Sequence, residues 1–99
     1  MEIVIREKKY KVLKDYGETI SLINFDEIVT DFYDIYDYIV GDWAYGKVRL
    51  KGFYKKNHKN VKKHNNFENV DSYIENECAY GCKHFILEKV NESIVEKSW

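Results

Sequence analysis

Charged and aliphatic side chains alternate strictly between residues 47 and 51 of this chain. Successive side chains of an extended strand point to opposite faces of its sheet, so this pattern predicts a β-strand. Val48 and Leu50 must then face the protein core. The other face of the strand carries three cations, which are Lys47, Arg49 and Lys51. The chain is therefore constrained to form a sheet that has a cationic face.

Charge is also segregated along the whole chain. Residues 47–64 hold one arginine, seven lysines and two histidines but no acidic residue. Residues 1–46 hold five basic and ten acidic side chains, and residues 65–99 hold three and seven. Because the net charge is only −1, this separation indicates a positive surface that binds an anionic partner or the protein's own acidic regions.

Length and composition predict one soluble domain. The chain has 99 residues, of which 44% are hydrophobic and 33% charged, and this suits a single α+β domain over residues 1–90. Residues 91–99 form a C-terminal tail that either docks as a short helix or frays. No apolar run approaches the roughly 20 residues that span a bilayer. With two cysteines and no signal-peptide pattern, the protein is expected in the reducing cytoplasm, away from membranes.

The start of the chain predicts a β-hairpin. Runs of β-branched and aromatic residues at Ile3–Arg6 and Tyr10–Tyr16 indicate two antiparallel strands. The turn between them lacks the Asn-Gly type of signal, and Gly17 ends the second strand.

An amphipathic helix is predicted next. Asn24 resembles a helix N-cap, with Glu27 placed to complete a capping box. The apolar face of this helix comprises Phe25, Ile28, Val29, Phe32, Ile35 and Tyr36. The outer face is acidic and comprises Asp26, Glu27, Thr30, Asp31 and Asp34. This spacing predicts that Phe32 is fully buried.

The second half of the chain predicts three strands and one helix. Tyr38–Val40 begins the third strand, and Gly46 lies in the turn to the fourth. Residues 55–66 are polar and predict a flexible surface loop. A second helical period is carried by Val70, Tyr73, Ile74 and Cys78. The helix ends near Gly81, and His84–Val90 has the continuous apolar centre of a buried strand.

These elements follow the order β-β-α-β-β-α-β. The order predicts a two-layer α+β fold with a five-stranded, mainly antiparallel sheet and two helices. Both helices are expected to pack on the same side of the sheet, which leaves the other side partly exposed to water.

Two segments resemble a known family. Tyr38–Phe53 resembles the signature of the YutD-like family, small proteins of low-GC Gram-positive bacteria. Cys78-Ala-Tyr-Gly-Cys82, followed by His84-Phe-Ile-Leu, is similar to its second motif. The resemblance covers roughly residues 3–90 and implies a single cytoplasmic bacterial domain. It implies no catalytic residue, cofactor or partner.

The cationic face of the fourth strand is the main candidate site. Alternate residues of a strand lie about 6.5–7 Å apart, close to the spacing of phosphates in an extended nucleic acid. Aromatic side chains next to the cations could stack on bases. The candidate binding residues are Lys47, Arg49, Lys51, Trp43, Tyr45, Phe53, Lys55 and Lys56. The pattern predicts a non-catalytic module that engages RNA or an acidic protein surface through residues 47–64. Alternatively, these lysines only keep the protein soluble and discourage edge pairing.

Two other kinds of function are compatible with the chain. A small enzyme or ligand-binding protein would have its site around Asp42, Trp43 and Arg49, although no base or nucleophile accompanies the carboxylate. A binding module should present a flat or gently concave basic surface, whereas an enzyme needs a pocket with convergent polar groups. A homodimer would place the basic strand of one copy against the acidic helix of another.

A metal site is a weaker hypothesis. Zinc ligands could come from Cys78, Cys82 and His84, together with His58 or His64. A single cysteine pair is a weak signal, and cysteines in a small core are ordinarily buried as apolar side chains. We therefore expect no metal and no cofactor.

Overall fold

The computed structural model describes residues 1–44, 46–77 and 82–90. Its strands are β1 (Glu2–Ile5), β2 (Lys8–Tyr16), β3 (Tyr38–Ala44), β4 (Lys47–Phe53) and β5 (His84–Lys89). Its α-helices are α1 (Phe25–Ile28) and α2 (Val70–Glu77). The strands form one antiparallel sheet in the order β1-β2-β5-β3-β4, so the predicted α+β fold with a five-stranded sheet and two helices is confirmed. None of the described helices is both long and apolar enough to cross a bilayer.

The last strand occupies the centre of the sheet, as its apolar sequence predicts. β5 pairs with β2 on one side and with β3 on the other. Phe85 and Leu87 project to one face, called the first face here, and both are fully buried. Ile86 projects to the opposite, second face and is also buried. The strand therefore contributes to two cores.

Each face of the sheet has its own cover. The first-face core contains Ile5, Tyr10, Phe25, Val29, Ile39, Phe85 and Leu87, so the segment that contains α1 covers this face. The second-face core contains Val40, Phe53, Val70 and Ile86, so α2 covers the other. The expectation that both helices share one side is wrong. Because Ile39 and Val40 are adjacent and both buried, each face of β3 carries an apolar side chain that needs a cover.

The predicted first helix is broken into two pieces. α1 ends at Ile28, and a 3-10 turn follows at Asp31–Ile35. Between them Val29 is extended and buried, and its carbonyl accepts a hydrogen bond from Arg6 Nε at 2.8 Å instead of completing a helical turn. The Asn24 side chain makes no capping hydrogen bond.

The break in this helix changes which side chains are buried. Phe32 is 63% exposed and Ile35 58% exposed, so the prediction that Phe32 is fully buried is wrong. The Phe32 ring instead packs edge-on against Tyr33 at a centroid distance of 5.1 Å.

A tertiary contact stabilises the first hairpin. The turn residues Arg6 and Glu7 have φ values of 49° and 69°, a left-handed conformation that non-glycine residues rarely adopt. The Arg6 backbone N–H donates to Asp26 Oδ1 at 3.0 Å, and its side chain donates to the Val29 carbonyl. The turn of this hairpin has no favourable turn sequence, so the segment around α1 stabilises it through these two hydrogen bonds.

Two alanine substitutions test these burial assignments. Phe85→Ala should lower the free energy of unfolding by about 3–5 kcal/mol, because it opens a cavity in the first-face core. Phe32→Ala should cost less than about 1.5 kcal/mol, because it removes only ring contacts at the surface. Urea denaturation of both variants checks the difference, and equal losses would contradict the broken helix.

Candidate functional site

The structure confirms the alternation in β4. Val48 and Leu50 pack against the first-face core, whereas Phe53 belongs to the second-face core. Strand parity places three cations on the second face with Phe53, and these are Lys47, Arg49 and Lys51. The predicted cationic strand face therefore exists, on the side of the sheet that α2 covers.

Arg49 is paired with a buried carboxylate. It lies directly opposite Asp42 in the β3–β4 register. Its Nε donates to Asp42 Oδ1 at 3.0 Å and its Nη2 donates to Oδ2 at 2.7 Å, a bidentate geometry. The Asp42 side chain is only 4% exposed, so Arg49 neutralises a carboxylate that water does not reach. Asp42 thus bonds across the strands, and Arg49 is not a free surface cation.

Trp43 lies on the opposite face from the cations. It pairs with Val48 and packs against the first-face core. The expectation that Trp43 joins the cationic face is therefore wrong, because consecutive residues of a strand point to opposite sides. For the same reason the alternative site is only partly assembled: Asp42 and Arg49 are in contact, but Trp43 points away from both. Tyr45, the other aromatic candidate, lies outside the described residues.

His84 extends the polar row of Asp42 and Arg49 across the sheet. It pairs with Asp42 in the β3–β5 register, and its ring stacks on Tyr16 at a centroid distance of 5.2 Å. Its Nδ1 lies 3.0 Å from the Cys82 carbonyl oxygen, which can only accept, so Nδ1 is the donor. Nε2 is buried and has no hydrogen-bond partner in the described part of the chain.

The zinc hypothesis finds no support in the described residues. No group of three or more His, Cys, Asp or Glu side chains is placed to hold a metal ion there. Cys82 takes part in a disulfide, and Cys78 lies outside the described residues.

A groove of about 600 Å³ runs between β4 and α2. It is lined by Lys51, Phe53, Lys63, His64, Asn69, Ser72, Tyr73 and Asn76. Among the described lining residues are two ammonium groups, an imidazole, two aromatic rings and three neutral polar side chains, and no carboxylate. Such a lining suits a ligand that carries both negative charge and hydrogen-bonding groups.

Two contacts fix the walls of this groove. The Lys51 ammonium lies 4.7 Å from the Tyr73 ring centroid and 5.3 Å from that of Phe53, so cation–π attraction ties β4 to α2. Asn69 Nδ2 donates to the Lys63 carbonyl at 3.0 Å and ties the start of α2 to the preceding turn. The cationic and polar walls are therefore positioned relative to each other.

The polar segment that follows β4 is ordered by hydrogen bonds. Tyr54 N–H donates to the Asn65 carbonyl at 2.7 Å, and Phe67 N–H donates to the Tyr54 carbonyl at 2.9 Å. These bonds close residues 55–66 into the predicted polar surface loop and anchor both of its ends. They also place a 3-10 turn at Lys63–Asn65 beside α2.

The two remaining candidates lie near the start of this loop and are exposed. The Lys55 backbone N–H donates to Asp37 Oδ2 at 2.9 Å. The Lys56 ammonium lies 3.7 Å from Glu68 Oε2, a surface pair that contributes little to stability. Lys55 and Lys56 border a separate hollow beside Phe67, so they do not line the groove.

Tyr38 borders the same face and stays neutral. Burial raises the pKa of its hydroxyl above 10.0, and the charge of Glu88 with their mutual hydrogen bond raises the pKa further. The hydroxyl therefore carries no negative charge near neutral pH that would offset the lysines.

The sequence interpretation missed the α2 side of the groove. Lys63 and His64 lie within the predicted binding segment 47–64, although neither was named as a candidate binding residue, and the polar residues from Asn69 to Asn76 lie outside that segment. A signal was present, because Asn69, Ser72, Tyr73 and Asn76 follow the i, i+3, i+4, i+7 spacing of one helix face. That face contains no charged residue, although the rest of α2 is acidic.

Known proteins resemble this chain over most of its length. Residues 4–88 match a family described as "Putative antitoxin YutD-like". A curated relative from Bacillus subtilis (strain 168), described as "Putative antitoxin YutD", is 30% identical over 90 residues, which cover 91% of this chain and 99% of the relative. The solution NMR structure of protein yutD from B. subtilis has a TM-score of 0.73 and 30% sequence identity, with 92% of this chain and 83% of that chain covered.

The Asp42–Arg49 pair can be tested with two matched substitutions. Arg49→Met keeps most of the side-chain stem but leaves the buried Asp42 carboxylate without its cation, so we expect a loss of about 1–3 kcal/mol in the free energy of unfolding. Lys47→Met on the same strand face should change it by less than about 0.5 kcal/mol. Chemical denaturation of both variants measures the difference, and similar values would show that the ion pair contributes no stability.

Proposed function

The chain belongs to the YutD-like family, as the sequence resemblance predicts, and we propose that it is a module that binds single-stranded RNA. In this proposal the protein has no catalytic role, acts in the cytoplasm and forms a single domain over residues 1–90. It binds through the second face of the sheet. The observation that carries the proposal is the groove between β4 and α2, whose described lining is cationic, aromatic and free of carboxylates.

The cations of this face form a path for a nucleic-acid backbone. Lys47 and Lys51 lie on the same face of β4, and Lys63 continues the positive charge at the far wall of the groove. Lysines contact phosphates as point charges and do not distinguish bases. This path therefore predicts binding that depends strongly on salt and weakly on sequence.

The aromatic residues beside this path favour a single strand over a duplex. Phe53 and Tyr73 both line the groove, and cation–π contacts with Lys51 combine charge and rings at one place. Single-stranded nucleic acids expose their bases to such sites, whereas a duplex keeps its bases stacked inside.

A second candidate partner is an acidic protein surface. The B. subtilis relative is described as a "Putative antitoxin", and this description supports a partner of some kind for the present chain. The same three lysines would then contact carboxylates instead of phosphates. The groove favours RNA, because binding to a broad protein surface would not need a concave site lined by aromatic rings and polar groups.

Charge reversal on β4 tests the proposal. Lys47→Glu combined with Lys51→Glu should weaken binding to a single-stranded RNA oligonucleotide by at least about tenfold, because ion contacts with phosphates are lost. Arg49 is left unchanged, because its removal would leave the buried Asp42 carboxylate without its ion-pair partner. Fluorescence anisotropy at two salt concentrations gives the affinity, and the parent should show a log–log salt slope of about −2 to −3.5, as three to five contacts predict.

The matched control is Lys11→Glu combined with Lys14→Glu on β2. It changes the net charge equally, but β2 lies three strand spacings from β4, about 14 Å, which exceeds the Debye length of about 10 Å. Its affinity should stay close to that of the parent, and thermal melts check that both variants fold. Absence of RNA binding at low salt, or equal weakening by both variants, would end the RNA proposal and favour a protein partner.

A further inference from the structure

The groove has the features of a site for one small ligand, beyond those of a charged surface. Its volume of about 600 Å³ falls in the range of small-molecule sites, which is about 300–1,000 Å³. Phe53 is fully buried at its base, whereas Lys63, Ser72 and Asn76 are exposed around it. The site is therefore concave, apolar at the base and polar at the rim.

Two kinds of polar group lie on separate elements. Lys63 and His64 stand on the 3-10 turn at one wall, and both can donate to a phosphate. Asn69, which directly precedes α2, and Ser72 and Asn76 on α2 line the other wall and offer amide and hydroxyl groups. A ligand that matches both needs a phosphate at one end and neutral hydroxyl or amide groups at the other.

The groove is also arranged before any ligand arrives. Lys51 is held over the Tyr73 ring, and Asn69 holds the Lys63 backbone carbonyl, so the Lys51 ammonium and the Lys63 backbone are positioned relative to α2. One of the two Nδ2–H groups of Asn69 makes this bond, which leaves the other N–H as a donor and Oδ1 as an acceptor for a ligand. A site whose walls are already fixed loses less conformational entropy on binding.

We propose that this groove holds one nucleotide, with its phosphate at Lys63 and Lys51 and its sugar and base along Asn69, Ser72 and Asn76. This inference rests on the proposed function and deepens it, because it assigns one unit of the bound RNA to a defined subsite. A free mononucleotide presents the same chemistry as the phosphorylated end of a strand.

Titration with adenosine 5′-monophosphate (AMP) tests the subsite. In ¹⁵N-labelled protein AMP should shift the backbone resonances of residues 63–64 and 69–76, and unphosphorylated adenosine should bind about tenfold more weakly, because it lacks the charge-assisted bonds. Lys63→Gln should weaken AMP binding by about tenfold for the same reason and leave adenosine unaffected.

Charge-neutral variants separate the subsite from the charged surface. Ser72→Leu combined with Asn76→Leu fills the groove with apolar side chains and should abolish the AMP shifts without changing the salt slope of RNA binding. The matched control is Ser21→Leu combined with Asn24→Leu, two exposed positions near α1 on the other side of the sheet, and it should bind AMP like the parent. Shifts that persist in the groove variant, or no shift at millimolar AMP, would overturn the proposal.

Two further measurements separate this inference from the proposed function and identify the source of the nucleotide. Lys47→Gln lies outside the groove lining, so it should reduce the salt slope of RNA binding but leave AMP affinity unchanged. If the salt slope of RNA binding stays the same in Lys47→Gln, the result contradicts the RNA proposal but not the nucleotide subsite. A 5′-phosphorylated RNA hexamer that displaces AMP better than its 5′-hydroxyl counterpart supports a strand end as the source, and AMP binding that neither hexamer displaces supports a free nucleotide.

Discussion

The central position of β5 is the constraint on which the rest of the structure depends. In the described residues, β5 is the strand that joins the β1–β2 hairpin to the β3–β4 hairpin. Phe85 and Ile86 are adjacent, yet they anchor different cores on opposite faces. The Phe85 ring also lies so close to β3 that a Cβ at Gly41 would come within 2.1 Å of it, so the neighbouring strand must carry glycine there. One strand therefore joins the two hairpins into a single sheet and anchors the packing on both of its faces.

Strands were predictable from this sequence because their signal is local. The alternation of Lys47–Lys51 and the apolar run of Phe85–Leu87 each follow from a few adjacent residues, and both were interpreted correctly. The first helix was not predictable, because its break depends on a distant residue: Arg6 binds the Val29 carbonyl 23 positions away. The helical spacing of apolar residues gives no information about a hydrogen bond from another element that competes with the helix.

The candidate site shows the same limit. Strand parity alone placed Lys47, Lys51 and Phe53 on one face. To predict which side Trp43 occupies, one must know the length of the turn between β3 and β4. That length pairs Ala44 with Lys47 and therefore Trp43 with Val48. The far wall of the groove could not be predicted from local sequence, because it depends on long-range contacts. The Tyr54–Asn66 bridge and the Asn69–Lys63 hydrogen bond bring separate segments to β4. No local pattern in the loop specifies that arrangement.

The two-sided cover of the sheet has an electrostatic consequence. The acidic segment around α1, with exposed Asp26, Glu27 and Asp31, lies over the first face, and the lysines of β4 lie on the second. The β4 lysines and these carboxylates therefore lie on opposite sides of the sheet, although α2 also brings Asp71 and Glu75 to the second side. With a net charge of −1 the molecule as a whole does not attract a polyanion, but charges separated in this way give it a preferred orientation within about a Debye length, roughly 10 Å. In the proposed RNA binding, this preference would turn the lysine face toward the strand before contact, so orientation would precede binding.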